Sequence, residues 1–241
     1  MKGFFERPIL ENREETERKY RLSVEEYFLG LKEFNVLVEE VEKMIIVSVT
    51  DRENILSKIK DPIIFVSNHP KIDRSLCIPA DKIQNMKGGN IFGFDRFNYP
   101  IVRQLMLRNL LKRPFSTVSL DNGWREAMED CWHTIITRGG SNRIIEIVKK
   151  HVTGQSLVIY PEGKSTAKTE MFSFHSGFLH LARLLDFKKI VLGISSPILS
   201  IGGENKMSVI DVAEIPHSDE DAQKFIEHIY EKIATELKMY G

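Results

Sequence analysis

The stretch PIIFVSNHPKID (62–73) joins a short run of β-branched and aromatic residues to a cluster of polar side chains. Short apolar runs of this composition are typical of buried strands, so we predict a strand over 62–67. In parallel sheets, binding groups gather in the loops at the carboxyl ends of the strands. The segment SNHPKID is therefore the first candidate for a functional loop.

The candidate base in this loop is His69. Pro70 is well suited to the first position of a helix, which would place His69 at a helix entry and Asp73 one turn along the same face. A carboxylate on one imidazole nitrogen fixes the tautomer and leaves the other nitrogen free to take a proton. We therefore interpret His69 and Asp73 as a general base and its orienting group. The alternative is that the pair only caps a helix.

A second motif follows another predicted strand, in SLVIYPEGKST (156–166). Pro-Glu-Gly after a buried strand makes a tight turn that brings backbone N–H groups and a carboxylate to the edge of the sheet. Lys164 and Ser165 come next, and they either bind a phosphate group or are simply solvated. An ordinary turn is the alternative interpretation of the whole motif.

The remaining apolar patterns alternate between strand and helix, which predicts an α/β fold: a mixed, largely parallel sheet flanked by helices. Ser23, with Glu26 three residues on, indicates the start of an N-terminal helix, and the run 44–49 is either a strand or the end of that helix. We divide the chain into an N-terminal helical extension (1–50) and an α/β domain (51–241). Predicted strands cover 62–67, 115–120, 156–160, 189–194 and 206–212; predicted helices cover 23–41, 100–111, 126–136, 143–151, 177–185 and 219–240.

Composition excludes several classes of protein. Lys plus Arg and Asp plus Glu each number 34, and this balance disfavours a nucleic-acid-binding protein, which usually carries a basic excess. The two cysteines, Cys77 and Cys131, belong to no zinc motif and fit reduced thiols in the cytoplasm. No stretch approaches the roughly 20 apolar residues that span a bilayer. We expect a cytoplasmic protein, and peripheral contact with the inner face of the membrane stays open.

Together, the two motifs resemble those of the glycerolipid acyltransferases, the family of glycerol-3-phosphate and lysophosphatidic acid acyltransferases. The first block of that family is Asn-His-x4-Asp, where this chain has SNHPKID, and its third is similar to Phe-Pro-Glu-Gly-Thr-Arg-Ser, where this chain has YPEGKST. A Phe-x-x-Gly segment that opens a helix is matched at 174–177, where His175 occupies a position that is often basic in the family. IVLGISSPIL (190–199) resembles the fourth, apolar block, so the resemblance covers 62–199.

The resemblance implies an O-acyltransferase that moves a fatty acyl group from acyl-CoA or acyl-carrier protein to a hydroxyl of a glycerophosphate, lysophospholipid or related acceptor. It implies no cofactor beyond this thioester co-substrate and no metal. The implied partners are the acyl donor and the lipid acceptor, with a membrane surface left open. Glu162 and Gly163 would shape the acceptor pocket, and a cationic cluster would contact an anionic headgroup. The residues implied to bind substrate are Asn68, Glu162, Gly163, Lys164, Ser165 and Arg125.

The chain departs from the family pattern at three points. The His–Asp spacing is one residue shorter, and Lys164 and Ser165 stand where the third block has an Arg. The Asp-Arg pair that ends the second block is Asp121-Asn122 here, with Arg125 close by as a substitute. Two alternatives therefore stay open: a non-catalytic acyl- or lipid-binding protein of the same fold, and a thioester hydrolase that passes the acyl group to water.

Overall fold

The computed structural model describes residues 12–72, 94–120, 134–137, 148, 154–163, 171–216 and 218–240. These residues form a seven-stranded sheet with helices on both faces and a separate two-stranded sheet. The strands are β1 (Ile46–Asp51), β2 (Ile64–Ser67), β3 (Lys71–Ile72), β4 (Phe115–Leu120), β5 (Thr134–Thr137), β6 (Ser156–Ile159), β7 (Lys189–Ser195), β8 (Ile198–Leu199) and β9 (Glu204–Glu214). The helices are α1 (Arg13–Phe28), α2 (Phe34–Met44), α3 (Ile55–Lys58), α4 (Phe94–Leu111), α5 (Gly177–Leu184) and α6 (Glu220–Tyr240).

The large sheet is mixed and mostly parallel, as predicted. Its strand order is β1-β9-β7-β2-β6-β4-β5. The five strands from β7 to β5 run parallel to one another. β9 is antiparallel to β7, and β1 is parallel to β9, so these two strands run the opposite way. The small sheet pairs β3 with β8 in parallel.

Alternate side chains of β2 enter different cores, because successive residues of a strand point to opposite faces of the sheet. Phe65 lies in one buried cluster with Leu37 of α2 and Leu105 of α4. Ile64 and Val66 lie in a second cluster, which α5 and α6 cover from the other face. β2 is buried on both faces, which explains why PIIFV is a continuous apolar run rather than an alternating one.

The N-terminal helix begins earlier than predicted. Asn12 is its N-cap, and the Asn12 side chain accepts a hydrogen bond from the Glu14 N–H at 3.0 Å. The predicted start at Ser23 is wrong, because Ser23 is a buried residue in the middle of α1. Its hydroxyl donates to Glu40 of α2 at 2.5 Å. The polar residue at this position joins two helices rather than capping one.

The predicted single helix over 23–41 is broken at Gly30. The Leu31 N–H donates to the Glu26 carbonyl at 2.9 Å, and the Gly30 N–H donates to the Tyr27 carbonyl at 3.0 Å. This pair of bonds is the Schellman motif that ends helices, and it needs a left-handed residue at the position of Gly30, whose φ is +73°. The chain reverses there, so α2 packs back against α1.

The run 44–49, which the sequence left open, contains a strand. β1 pairs with β9, with Ile46 opposite Glu204 and Asp51 opposite Val209. β1 crosses the predicted boundary between residues 50 and 51, and the division into an extension and a domain stays a prediction. Since β1 belongs to the seven-stranded sheet, the segment after α2 contributes directly to the α/β layer.

The strands and helices on either side of the candidate site are confirmed within a few residues at each end, and one prediction is wrong. The predicted helix 126–136 overlaps β5, where Thr134–Thr137 pairs in parallel with β4. The run TIIT is β-branched throughout, a composition that favours a strand. Of the predicted helix 143–151, only Val148 is described; it is helical and buried.

Candidate active site

The carboxyl ends of β2, β6 and β7 lie side by side at one edge of the sheet, because these strands are parallel neighbours. The register sets Val66 opposite Ile159 and Ser67 opposite Gly193. The polar segment after β2 and the Pro-Glu-Gly turn after β6 therefore meet at the same edge. This is the arrangement expected for loops at the carboxyl ends of parallel strands.

Asn68 joins the end of β2 to the end of β7. Its side-chain Nδ2 donates to the Ser195 carbonyl at 3.1 Å, and its Oδ1 accepts the Ser195 N–H at 2.8 Å. The same oxygen lies 3.2 Å from the hydroxyl of Ser67 and 3.3 Å from that of Ser195. The amide is only 3% exposed, so it holds the backbone that enters His69. A role for Asn68 in substrate binding stays a prediction.

Glu162 anchors His69 through the backbone. Its carboxylate is 1% exposed and accepts two N–H groups, that of His69 at 2.7 Å and that of Phe172 at 2.8 Å. Burial raises the pKa of Glu162, and these two hydrogen bonds oppose that rise by stabilising the ionised form. One carboxylate thus ties together the loop after β2, the turn after β6 and the segment before α5.

The turn after β6 requires glycine at position 163. The Gly163 N–H donates to the Tyr160 carbonyl at 3.1 Å, and Gly163 has a φ of +67°. The His175 N–H donates to the Pro161 carbonyl at 2.9 Å, and its ring lies against the turn. A Cβ at position 163 would come within 3.3 Å of His175 Cδ2. Conformation and packing both favour a residue without a side chain here.

The His69 ring is partly buried and packs against two neighbours in series. It meets the Tyr160 ring edge to face, with ring centroids 4.9 Å apart and an interplanar angle of 77°. The Arg103 guanidinium carbon lies over the Tyr160 ring, 4.9 Å from its centroid. Arg103 belongs to α4 and is 5% exposed. The site therefore contains a buried cation that the sequence analysis did not single out.

The electrostatics of the site keep the imidazole neutral. Burial, with the nearby Arg103 cation as the second cause, lowers the pKa of His69 to about 3. Burial raises the pKa of Tyr160 to about 12, with Arg103 acting in the opposite direction. At neutral pH His69 is therefore able to accept a proton, Tyr160 carries its hydroxyl proton, and Arg103 carries the positive charge.

The segment after Pro70 is extended and not helical. Lys71–Ile72 forms β3, which pairs with Ile198–Leu199 of β8. The predicted helix after Pro70 is wrong for these residues, so the argument that a helical turn brings Asp73 to His69 does not apply to them. Of the predicted site residues, Asp73, Arg125, Lys164 and Ser165 lie outside the described residues, and their roles stay predictions.

Arg103 and Ser195 take part in the site although the sequence analysis passed over them. A signal for Arg103 was available in IVRQLML, where Arg103 and Gln104 interrupt an apolar helical run. Both are buried, and charged residues are almost never buried without a specific environment. Ser195 carried no such signal, because Asn68 binds mainly its backbone.

Two further observations bear on the chemistry. In the described ranges, no three His, Cys, Asp or Glu side chains come together as a set that could hold a metal ion. Among the helices of that same part of the chain, none is long and apolar enough to cross a membrane.

Residues 105–201 match the family model described as Acyltransferase. The matched range contains β4, β6, the Tyr160–Gly163 turn and β7, and it begins after the loop that carries His69. With a mixed α/β sheet that brings this turn beside a histidine loop, the match identifies the chain as an acyltransferase.

The particular family is that of the glycerolipid acyltransferases, as the motifs predicted. The chain has the fold of a solved structure, the 1-acyl-sn-glycerophosphate (LPA) acyltransferase PlsC from Thermotoga maritima. The two chains are 15% identical with a TM-score of 0.53, and the alignment covers 94% of this chain and 96% of that one. No curated protein sequence matches the chain.

Proposed function

We propose that this acyltransferase moves a fatty acyl group from a thioester donor, acyl-CoA or acyl-carrier protein, to a hydroxyl of a glycerophosphate, lysophospholipid or related acceptor. The observation that carries the proposal is the state of His69: a neutral imidazole at the carboxyl edge of the sheet, with its backbone held by Glu162 of the second motif. A neutral imidazole is the form that accepts a proton.

The proposed reaction uses His69 as the general base. The imidazole takes the proton of the acceptor hydroxyl while the hydroxyl oxygen attacks the thioester carbonyl carbon. The tetrahedral oxyanion then collapses, the carbon–sulfur bond breaks, and the leaving thiolate takes the proton back from the imidazolium. Because burial and Arg103 disfavour the imidazolium, the developing oxyanion and the Asp73 carboxylate would supply the compensating negative charge.

Apolar surface beside His69 suits an acyl chain. Phe172, whose N–H binds the Glu162 carboxylate, is 39% exposed. Ile198 is 52% exposed and pairs with Lys71, two residues after His69. We place the acyl chain against these side chains and the anionic headgroup near the cationic group of the second motif. The residues proposed for that headgroup are Lys164, Ser165 and Arg125.

The donor and acceptor require no metal or prosthetic group in this mechanism. We place the enzyme in the cytoplasm, where it would meet its lipid acceptor at the membrane surface. The equal numbers of acidic and basic residues imply that any attraction to anionic lipid comes from a local patch.

A thiol-release assay tests the proposal. Purified protein is incubated with long-chain acyl-CoA, with and without glycerol 3-phosphate or lysophosphatidic acid, and free thiol is followed. Acceptor-dependent release supports the transferase. Release without acceptor would establish the hydrolase instead, and tight acyl-CoA binding without release would establish a binding protein.

His69→Ala tests the base. We expect its turnover to fall by about 10²–10⁴-fold, the usual contribution of a general base, with the fold retained. His180→Ala is the matched control, because His180 is an exposed histidine of α5, and it should keep normal activity. Wild-type turnover in His69→Ala would remove the mechanism.

A further inference from the structure

The inference concerns the two residues that pack in series onto His69, and it rests on the proposed role of His69 as a base. Tyr160 stands where the resembling family has a phenylalanine, so the chain keeps the aromatic ring and adds a hydroxyl. That hydroxyl is buried and has no hydrogen-bond partner among the described residues. The ring, in contrast, makes two defined contacts, one with His69 and one with Arg103.

The first contact orients the imidazole. The edge-to-face arrangement at 4.9 Å and 77° is one of the preferred geometries for aromatic pairs, which contribute about 0.5–1.5 kcal/mol beyond burial. With the backbone N–H held by Glu162 at 2.7 Å, the ring contact limits rotation of the side chain itself. Backbone and side chain of His69 are therefore fixed by two different residues after β6.

The second contact fixes the ring in turn. The guanidinium carbon of Arg103 lies 4.9 Å from the Tyr160 centroid, within the roughly 6 Å range of cation–π attraction. Such attraction is stronger when desolvated, and Arg103 is 5% exposed. The charge also acts on the imidazole, because a neighbouring cation disfavours a second one in surroundings of low dielectric.

We infer that Arg103 and Tyr160 are positioning residues for His69: the Tyr160 ring holds the imidazole, Arg103 holds that ring, and the Arg103 charge keeps the imidazole neutral. Among the described side chains, the charged and titratable groups that face His69 are Arg103 from α4, and Tyr160 and Glu162 from the turn after β6. Glu162 acts mainly on the backbone, so Arg103 governs the charge state.

The charge is tested by following His69 protonation in the intact chain. Histidine is labelled with ¹⁵N, the His69 signal is assigned with His69→Gln, and spectra are recorded from pH 7 down to pH 4. The wild-type imidazole should stay neutral through this range. Arg103→Met should raise its midpoint by about one pH unit, as expected for a nearby charge at an effective dielectric of about 20, and Arg103→Lys should not.

The ring is tested by kinetics. Tyr160→Leu removes the aromatic contact, and we expect kcat to fall about tenfold with little change in KM, since a rotating imidazole affects the chemical step. Tyr160→Phe restores the ring alone and should recover most of that loss. Equal losses in the two variants would assign the effect to the hydroxyl and overturn the role of the ring.

A purely structural role predicts a different pattern. In that case Arg103→Met and Arg103→Lys would lower the melting temperature but leave the His69 midpoint unchanged, and the inference would fall. Should Arg103→Met not fold, Arg103→Gln removes the charge while keeping hydrogen-bonding groups, and it makes the same comparison. The protonation measurement needs no turnover, so an inactive wild type would refute the proposed function and leave this inference to be decided by the spectra.

Discussion

Replacing Glu162 by glutamine should weaken both the fold and the proposed reaction, because this carboxylate holds the backbone of His69. It accepts the His69 N–H at 2.7 Å and the Phe172 N–H at 2.8 Å while only 1% exposed. Glutamine offers one oxygen and one NH₂ group, so one of the two N–H donors would face another donor.

The magnitude follows from counting these bonds. Leaving one buried N–H without an acceptor costs about 1–3 kcal/mol, and changing the other bond from charge-assisted to neutral costs about 1 kcal/mol. Glutamine is easier to bury than the Glu162 carboxylate, whose pKa is raised by burial, and this offsets part of the loss. We expect a net destabilisation of about 2–3 kcal/mol, or a melting temperature lower by about 4–12 °C for a chain of this size.

The assay combines urea unfolding with the thiol-release measurement. We expect kcat to fall at least tenfold at a temperature where the variant is fully folded, because small displacements of a catalytic group cost up to about 10²-fold. Glu39→Gln is the matched control, since Glu39 is an exposed residue of α2 and should stay within about 0.5 kcal/mol of wild type. A Glu162→Gln variant equally close to wild type, with normal turnover, would refute the anchoring role.

Two further predictions concern pH and the turn. Because the folded-state pKa of His69 is about 3 and the unfolded value is about 6.5, the unfolded chain binds the extra proton between these values. His69 should therefore destabilise the fold by about 1.4 kcal/mol per pH unit as pH falls through this window. Urea unfolding of His69→Gln at pH 6.5, 5.5 and 4.5 should show a slope shallower by that amount, with Glu162, whose folded pKa is raised, opposing the trend in both proteins. Gly163→Ala should cost about 1–2 kcal/mol, because its φ is +67° and its Cβ would crowd His175. Gly177→Ala, which meets nothing within 4 Å, should be neutral or slightly stabilising in the same unfolding experiment, and equal effects of the two substitutions would contradict the argument about the turn.

Some errors of the sequence analysis have local causes. Ser23 followed by Glu26 satisfies the pattern of a capping box, yet the helix had already begun at Asn12, because a pattern of four residues does not show whether a turn precedes it. Gly30 marked the real break, and the apolar spacing continued across it. Thr134–Thr137 became a strand through pairing with β4, a long-range partner that a window of local sequence does not contain.

The segment after Pro70 shows the same limit at the candidate site. Proline is compatible with the first turn of a helix and with an extended chain, and only pairing with β8 selects the extended form. β8 lies far along the chain, after β7. The role of His69 as a proposed base does not depend on the helix, whereas the expected helical geometry between His69 and Asp73 did.

The sequence by itself determined the α/β class, the strands that precede the two motifs, and the family. These follow from short-range information: apolar runs set the strands, and the residue types in SNHPKID and YPEGKST carry the chemistry. Only the tertiary structure decided which groups meet His69. Glu162, Tyr160 and Arg103 come from two other elements, and their contacts, the burial that lowers the pKa of His69 and the charge that adds to it exist only once the sheet brings β2 and β6 side by side and α4 packs across them.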